Sequence, residues 1–518
     1  MRVDVAIIGA GFAGIGAAIA LERAGRPDFV VLERANAVGG TWRDNVYPGV
    51  ACDIPSHLYS YSFMPNPEWS RVFAPGAEIR DYLEGAIDAT GIRDRIRLDS
   101  PLEAAVWDED AEVWRLTVGS SPSHRDREPA TIEARALVLA AGRLAEPRIP
   151  DIPGLMTFSG PVIHTARWDD SLELDGKRIA VIGSGASAVQ IAPELARRSH
   201  VTVFQRTPAW VLPRADREYA EAEQERFATD PTLIDAIRQE AYLAGEAMIP
   251  QRLGDLDALD WAQARALAHL HAQVPDPALR AAMMPAYEIG CKRAVFSDDW
   301  YPAIASGAIE LEASALVGVR PFDPASPRSG TGTGGGVLVA ASGAEHEADV
   351  VVLATGFHST RQPYARLVAG AAGETLDEHW ATGMTSVAST MVSGFPSLFV
   401  LDGPNASLGH NSSILMIEAQ VDYLLEALDH RDAHGGGALH PTADAEAEYT
   451  ARIDAAAAST VWLTGGCRSW YVDERSGRLT LLWPDSVPAF RTHGARFNPD
   501  HFAVPAHSRT PFAPLHGV

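Results

Sequence analysis

Residues 3–23 read VDVAIIGAGFAGIGAAIALER. Val3 to Ile8 has the apolar run of a parallel strand buried on both faces. Gly9, Gly11 and Gly14 follow at once, and an Ala/Ile/Leu helix continues to about Arg23. The first glycine permits the tight turn and the second lets a pyrophosphate approach the backbone. The third lets helix and strand pack closely, with the anion held at the helix N-terminus. A second strand, Phe29 to Leu32, ends on Glu33, which sets a carboxylate where an adenosine ribose presents its hydroxyls. The other reading of such a motif is a glycine-rich turn without a ligand; the flanking strands and the acid favour dinucleotide binding. Val5 to Leu21 is uncharged and apolar, which flags a secretory leader or a membrane anchor, but the glycine spacing argues against both.

The pattern recurs. Arg178 to Ile182 leads into Gly183, Ser184, Gly185, Ser187 and Ala188 on a helix from about Ser187 to Arg198, followed by the strand Val201 to Phe204. Where a site for NAD would place an acid, the chain has Gln205, Arg206 and Thr207, a pattern that suits the 2′-phosphate of NADPH. A surface arginine without a ligand is the alternative for Arg206. Two dinucleotide folds in series, acid first and base second, describe a flavin site followed by a nicotinamide site. Asp349 to Phe357, DVVVLATGF, reads as the strand that closes the second fold, and Ala140 to Gly142 ends the one that closes the first.

The 518 residues exceed one ordinary core, and 46% hydrophobic with 21% charged residues is the composition of a globular chain. A net charge of -24 disfavours nucleic acid and anionic membrane surfaces, which leaves a small molecule as partner and the oligomeric state open. Three widely spaced cysteines, Cys52, Cys291 and Cys467, disfavour a disulfide framework, a zinc ribbon and a dithiol reductase, and point to the reducing cytoplasm. His430 and His434 lack the glutamate of an HExxH motif and no acidic run has calcium-loop spacing, so no metal is expected. Ser184 and Ser187 belong to a phosphate turn rather than to a GxSxG elbow. Ser329 to Gly336 lacks the ending of a P-loop and reads as a flexible loop, as does His434 to Gly437; Ala503 to Val518 reads as an extended or partly disordered arm.

Between the two folds, Phe158, Gly160, His164, Trp168 and Asp169 spell FxGxxxHxxxWD, and Gly39, Gly40, Trp42, Tyr47, Pro48, Gly49 and Asp53 fit [AG]GxWxxxx[FY]P[GM]xxxD. Both resemble the signatures of type I Baeyer-Villiger monooxygenases. Sister flavin N- and S-oxygenases usually carry Tyr or Phe at the position of Trp168. The resemblance runs from Val3 to about Phe497. Its segments QRTPAW (205–210), GPNASLGHNSSILMIEAQ (403–420) and CRSWY (467–471) are most similar to the 4-hydroxyacetophenone monooxygenase branch.

The resemblance implies two doubly wound α/β, Rossmann-like domains: FAD-binding from 1–150 and 385–518, NADP-binding from 151–384, with a helical insert at about 219–285 capping the latter. It implies FAD, NADPH and O2 acting on a small ketone, through a C4a-peroxyflavin, to give an ester or lactone. The alternatives are a flavin N- or S-monooxygenase, or a flavoprotein that does not oxygenate. FAD contacts fall to Gly9, Gly11, Gly14, Glu33, Gly40, Thr41, Trp42, Asp53, Tyr59 and Ser413. NADP contacts fall to Gly183, Ser184, Gly185, Ser187, Ala188, Arg206, Thr207, Lys292 and Trp470. Arg293, in GCKR, is the candidate catalytic group, because a guanidinium keeps its proton and stabilises both the peroxide and the tetrahedral oxyanion. Asp53 is the partner expected to orient it.

Read alone, these residues keep plainer alternatives. Arg293 is also read as a salt-bridge or packing residue, Asp53 as a turn acid, Trp42 as core, Ser412 and Ser413 as helix caps, and Trp470 and Tyr471 as structural aromatics. His164 reads as a hydrogen-bonded linker and, with Trp168, is assigned to domain coupling rather than chemistry. In the insert, Trp261 and Met283 or Met284 are candidates for the substrate entrance, with core packing the stronger reading.

Overall fold

The computed structural model describes residues 1–119, 129–322 and 334–503. The expected loop Ser329 to Gly336 lies largely, and the arm Ala503 to Val518 almost entirely, outside the described residues. The chain folds around two parallel sheets built to the same plan. In the first, Arg2–Ile8 pairs in parallel with Phe29–Leu32 on one side and with Ala130–Leu139 on the other. Ile96–Arg97 and Leu398–Val400 extend the two flanks, also in parallel. In the second, Arg178–Ile182 pairs with His200–Phe204 and Val350–Leu353, flanked by Ile309–Glu312 and Val162–His164. The near-continuous apolar runs predicted the strands because such sheets are covered on both faces; Phe29–Leu32 and Val350–Leu353 are buried at every residue.

The strand Leu102–Asp108 turns into Val113–Val118 and returns antiparallel along Ala130–Leu139, giving the first sheet an antiparallel wing. Val368–Ala369 pairs with Leu102–Asp108. These two residues, which the sequence division gives to the second unit, therefore hydrogen-bond to the first sheet. The strand Leu316–Arg320 forms a small antiparallel sheet with Gly336–Ala340 and Glu345–Ala348, covering one face of the second unit.

The helices Glu221–Thr229, Pro231–Glu246, Leu256–Gln273 and Pro277–Ala282 occupy the stretch read as helical. The insert, expected to cap the second fold, packs against both. Leu270, Val274 and Met283 join the core of the second, but Tyr219, Phe227 and Ile234 pack into the core of the first. Arg238 donates to the carbonyls of His57 and Ser60 at 2.7 and 2.9 Å. Successive parts of the insert bury their apolar side chains in different cores, so helical periodicity alone did not identify which sheet each covers. Met283 is buried core, whereas Trp261 is 62% exposed with Arg265 over its ring at 4.8 Å.

Candidate functional site

Both glycine turns sit at the carboxyl ends of the parallel strands. Gly9 has φ +106°, and a Cβ there would stand 2.5 Å from the carbonyl oxygen of Ala140 on the closing strand; Gly183 repeats this with φ +119° against Ala354. Only glycine meets both constraints. A Cβ on Gly14 would collide with the Gly9 carbonyl, while Ala188, its counterpart in the second turn, is accommodated and fully buried. The helices Phe12–Arg23 and Ala186–Ala196 start at Gly11 and Gly185 with no side-chain cap and no acid in the first turn. Their amino ends are thus left to an anion.

Around the first turn, Glu33 is 4% exposed and accepts from the backbone N–H of Ala10 at 2.9 Å and of Ala35 at 3.0 Å. Arg43 also donates to it at 2.7 Å, a partner that the sequence reading did not name. Gly40 packs its Cα close to Gly11, and Thr41 opens the short helix Thr41–Asp44. Trp42, 8% exposed, donates its indole N–H to the Tyr59 hydroxyl at 3.2 Å. On the other side of this hollow, Ser412 caps the helix Ser413–Ala433, while Ser413 instead accepts from Arg143 at 3.0 Å. Arg143 also pairs with Asp402. Arg143 and Asp402 were missed; their signal was their place just beyond the ends of two parallel strands. The glycine cradle, the buried acid and the free helix end fit an FAD-sized dinucleotide.

The segment 47–53 is clamped from the second unit. The Tyr47 hydroxyl donates to Gln190 at 2.8 Å, and Gln190 returns a bond to the Ala51 carbonyl at 2.9 Å. Gly49 has φ +83° and a Cβ there would approach the Gln190 carbonyl to 2.9 Å. Arg214 donates to the Cys52 carbonyl at 2.9 Å. Arg293 then reaches across to Asp53 with two hydrogen bonds, Nε to Oδ2 and Nη2 to Oδ1, both 2.7 Å. Nη1 of Arg293 has no hydrogen bond among the described residues. Burial alone would disfavour the guanidinium charge, but Asp53 outweighs it and raises the Arg293 pKa; burial likewise opposes the Asp53 charge, and Arg293 reverses this and holds it low. Burial pushes the neighbouring Cys52 thiol up, so it stays protonated.

In the second turn, the Ser184 hydroxyl donates to the Thr207 carbonyl at 2.9 Å, and the Gln205 amide donates to the Ala282 carbonyl at 2.9 Å. Trp210 donates to the Tyr287 carbonyl at 2.8 Å, and the Tyr287 hydroxyl returns to Pro208 at 3.0 Å. These latches bring Lys292, whose ammonium lies 4.9 Å above the Tyr287 ring, into the field of Arg206. Burial first and Arg206 second depress the Lys292 pKa. Arg206 is exposed and neither cation has a carboxylate partner among the described residues. Ser187 stands beside Tyr47. Trp470 is 36% exposed with its ring 4.3 Å from that of buried Tyr471.

Two of the three cysteines are paired, against the expectation of a chain without disulfides. Cys291 and Cys467 form a disulfide across 176 residues, with Cα atoms 6.1 Å apart; Cys52 stays free. The spacing held no signal for it, because the pair meets only when the 288–293 turn docks on 465–467, where Glu288 donates its N–H to the Gly465 carbonyl at 2.9 Å. The bond joins the segment bearing Lys292 and Arg293 to the one bearing Trp470 and Tyr471. His164 is buried and contacts the Gly356 carbonyl at 3.0 Å through Nε2, while Nδ1 accepts from Ala166 at 3.1 Å. Gly356 also accepts from Arg148 N–H at 2.8 Å, so His164 sits in the joint where the connecting strands meet. Among the described residues no three His, Cys, Asp or Glu side chains are grouped to hold a metal, and no helix is long and apolar enough to cross a membrane.

Comparison with known proteins places this geometry in context. Residues 3–232 match the family profile of pyridine nucleotide-disulphide oxidoreductases. Over 505 residues the chain is 43% identical to a Baeyer-Villiger monooxygenase of Streptomyces coelicolor, covering 97% of this chain and 93% of that protein. The crystal structure of cyclohexanone monooxygenase from Rhodococcus sp. Phi1 bound to NADP+ superposes with a TM-score of 0.80 at 26% identity, covering 95% of this chain and 96% of that one. A structure of OTEMO in complex with FAD and NADP is 24% identical with a TM-score of 0.80 over 95% and 96% of the two chains, a likeness of fold.

Proposed function

The chain belongs to the Baeyer-Villiger monooxygenase family, and from that premise we propose that Arg293, oriented by Asp53, is the group that stabilises the reacting oxygen anions. The protein uses FAD, NADPH and O2 to turn a ketone into an ester or lactone. The balance is ketone plus O2, NADPH and a proton giving ester, NADP+ and water. One oxygen atom enters the C–C bond beside the carbonyl and the other leaves as water. When bound, FAD carries the electrons from NADPH to O2.

The Arg293–Asp53 pair carries the role. Its two parallel bonds fix the guanidinium plane, and Asp53 moves the pKa in the direction that keeps the proton on Arg293 at neutral pH. Nη1 is left to donate toward a developing oxyanion, without the reorganisation that water would need. Gly9, Gly11, Gly14, Glu33, Gly40, Thr41, Trp42, Tyr59 and Ser413 would hold FAD. Gly183, Ser184, Gly185, Ser187, Ala188, Thr207 and Trp470 would hold NADPH, with Arg206 and Lys292 facing its 2′-phosphate. Units 1–150 with 385–518 and 151–384 are our division for the two cofactors. The QRTPAW, GPNASLGHNSSILMIEAQ and CRSWY segments support the 4-hydroxyacetophenone monooxygenase branch. Dependence on NADPH supports a cytoplasmic setting; the Cys291–Cys467 bond is the observation against it.

The test is anaerobic reduction of the purified protein by NADPH, then air, with flavin absorbance and products followed over a panel of ketones that includes 4-hydroxyacetophenone. Ester formed in step with NADPH consumption supports the reading. Reoxidation to hydrogen peroxide with every ketone would refute it.

A further inference from the structure

Arg252 and Arg431 are the buried arginines among the described residues. Arg431 pairs with Asp4 and Asp432. Arg252, 5% exposed, has no carboxylate within ion-pair reach among the described residues. Its Nη2 donates to the Gly409 carbonyl at 3.1 Å, Nε is buried without a partner, and Nη1 makes no hydrogen bond. Two acids of adjoining segments are committed elsewhere. Asp53 is held by Arg293, and Glu246 by Asn411 at 2.9 Å, by the Val487 N–H at 3.1 Å and by His410 at 3.3 Å.

The place of this cation is informative. Nη1 lies against Gly290, where any Cβ would collide with it, and Val461 closes the same corner. Gly290 leads within three residues to Arg293, Gly409 leads to the start of the helix Ser413–Ala433, and the chain beyond Val461 leads to Trp470 and Tyr471. Arg252 and Arg293 share the field of Tyr471, whose buried hydroxyl also lacks a partner. Burial lowers the Arg252 pKa to about 10, with Arg293 adding to the effect, and Arg252 stays charged at neutral pH. A buried cation without a counter-charge is costly unless something else supplies one.

We propose that Arg252 is a substrate-specificity residue that binds a carboxylate carried by the ketone, so the preferred substrates are keto acids. This rests on the monooxygenase reading above. Nη1, whose N–H groups make no hydrogen bond, offers a charge-assisted donor to a carboxylate beside the segment that delivers Arg293, while Nη2 is held by the Gly409 carbonyl. A purely structural role, tying the 290 and 409 turns together, makes a different prediction, because it would not distinguish an acid from its ester.

The experiment uses FAD-loaded full-length protein and levulinate, 4-acetylbenzoate and 5-oxohexanoate, each beside its methyl ester. Thermal shifts report binding without turnover, and kcat/KM reports oxygenation. The wild type should be stabilised by at least one acid more than by its ester, and should favour that acid by about tenfold or more in kcat/KM, the scale of a charge-assisted hydrogen bond. Arg252→Met should abolish the acid-specific thermal shift and reduce the acid-to-ester ratio by the same factor, chiefly through KM, with Arg252→Lys in between. No acid-specific shift in the wild type, or equal losses for acid and ester in Arg252→Met, would overturn the proposal. Oxygenation of neither acids nor esters, with acid-specific binding intact, would instead strike the monooxygenase reading.

Discussion

Replacing Asp53 by Asn changes little in volume but removes the charge that orients Arg293. The carboxylate accepts from Nε and Nη2 at 2.7 Å each; the amide offers one oxygen and turns an N–H toward the second donor. One charge-assisted bond is lost, about 1.5–3 kcal/mol, and the side chains keep 28% and 27% exposure, which places the loss toward the lower end. That corresponds to roughly tenfold to a few tens of fold on the step that uses Arg293. Hydride transfer from NADPH does not need that orientation, so the deficit should appear as uncoupling, with NADPH consumed at near the wild-type rate and ester per NADPH falling about tenfold. Asp53→Ala, which leaves the guanidinium without its oriented partner, should cost more than Asp53→Asn, about 3 kcal/mol, because the half-buried pair keeps some access to solvent. The assay pairs NADPH oxidation with ester and hydrogen peroxide yields. An unchanged ester-to-NADPH ratio in Asp53→Asn would refute the orienting role.

Arg293→Ala should retain FAD, by its absorbance, yet form no ester; wild-type yield would end its assignment. Arg206→Ala should raise KM for NADPH about tenfold more than for NADH, and an equal change for both would reject its phosphate role. Thiol titration in denaturant should find one reactive group per chain without reductant and three with it, as the Cys291–Cys467 bond and free Cys52 require; three in both conditions would show that the bond does not form. The His379–Glu446 pair, 2.7 Å apart, gives a pH test. Burial opposes both charges but each partner prevails, raising His379 above its ordinary 6.5 and lowering Glu446 below 4.5. The His contribution is full below 6.5 and fades as pH rises through the raised value; the Glu contribution is full above 4.5 and fades as pH falls through the lowered one. The Tm deficit of Glu446→Gln should therefore peak between these values and shrink on both sides, and a flat deficit would count against the pair.

How much was legible in the sequence follows from the range of the forces involved. The strand, glycine turn and helix at Val3–Arg23 and again at 178–196 are contiguous, because a turn that needs positive φ at Gly9 and Gly183, and an open backbone at Gly11 and Gly185, writes those needs into neighbouring residues. Glu33 and Arg206 could be placed for the same reason, each closing a short strand beside its turn. The family signatures were equally visible, but their physical content was not: Tyr47, Gly49 and Asp53 are met by Gln190 and Arg293 from the other unit, and the Arg293–Asp53 contact spans 240 positions. The Cys291–Cys467 bond, the division of the helical insert between two cores, and the uncompensated Arg252 against Gly409, 157 positions away, are of the same kind. None has a local period or spacing, since each depends on how two sheets and a helical insert seat on one another. Local backbone chemistry determined the two glycine turns to which we assign the nucleotides; only the packing of distant segments decided which charges were paired and which were left without a partner.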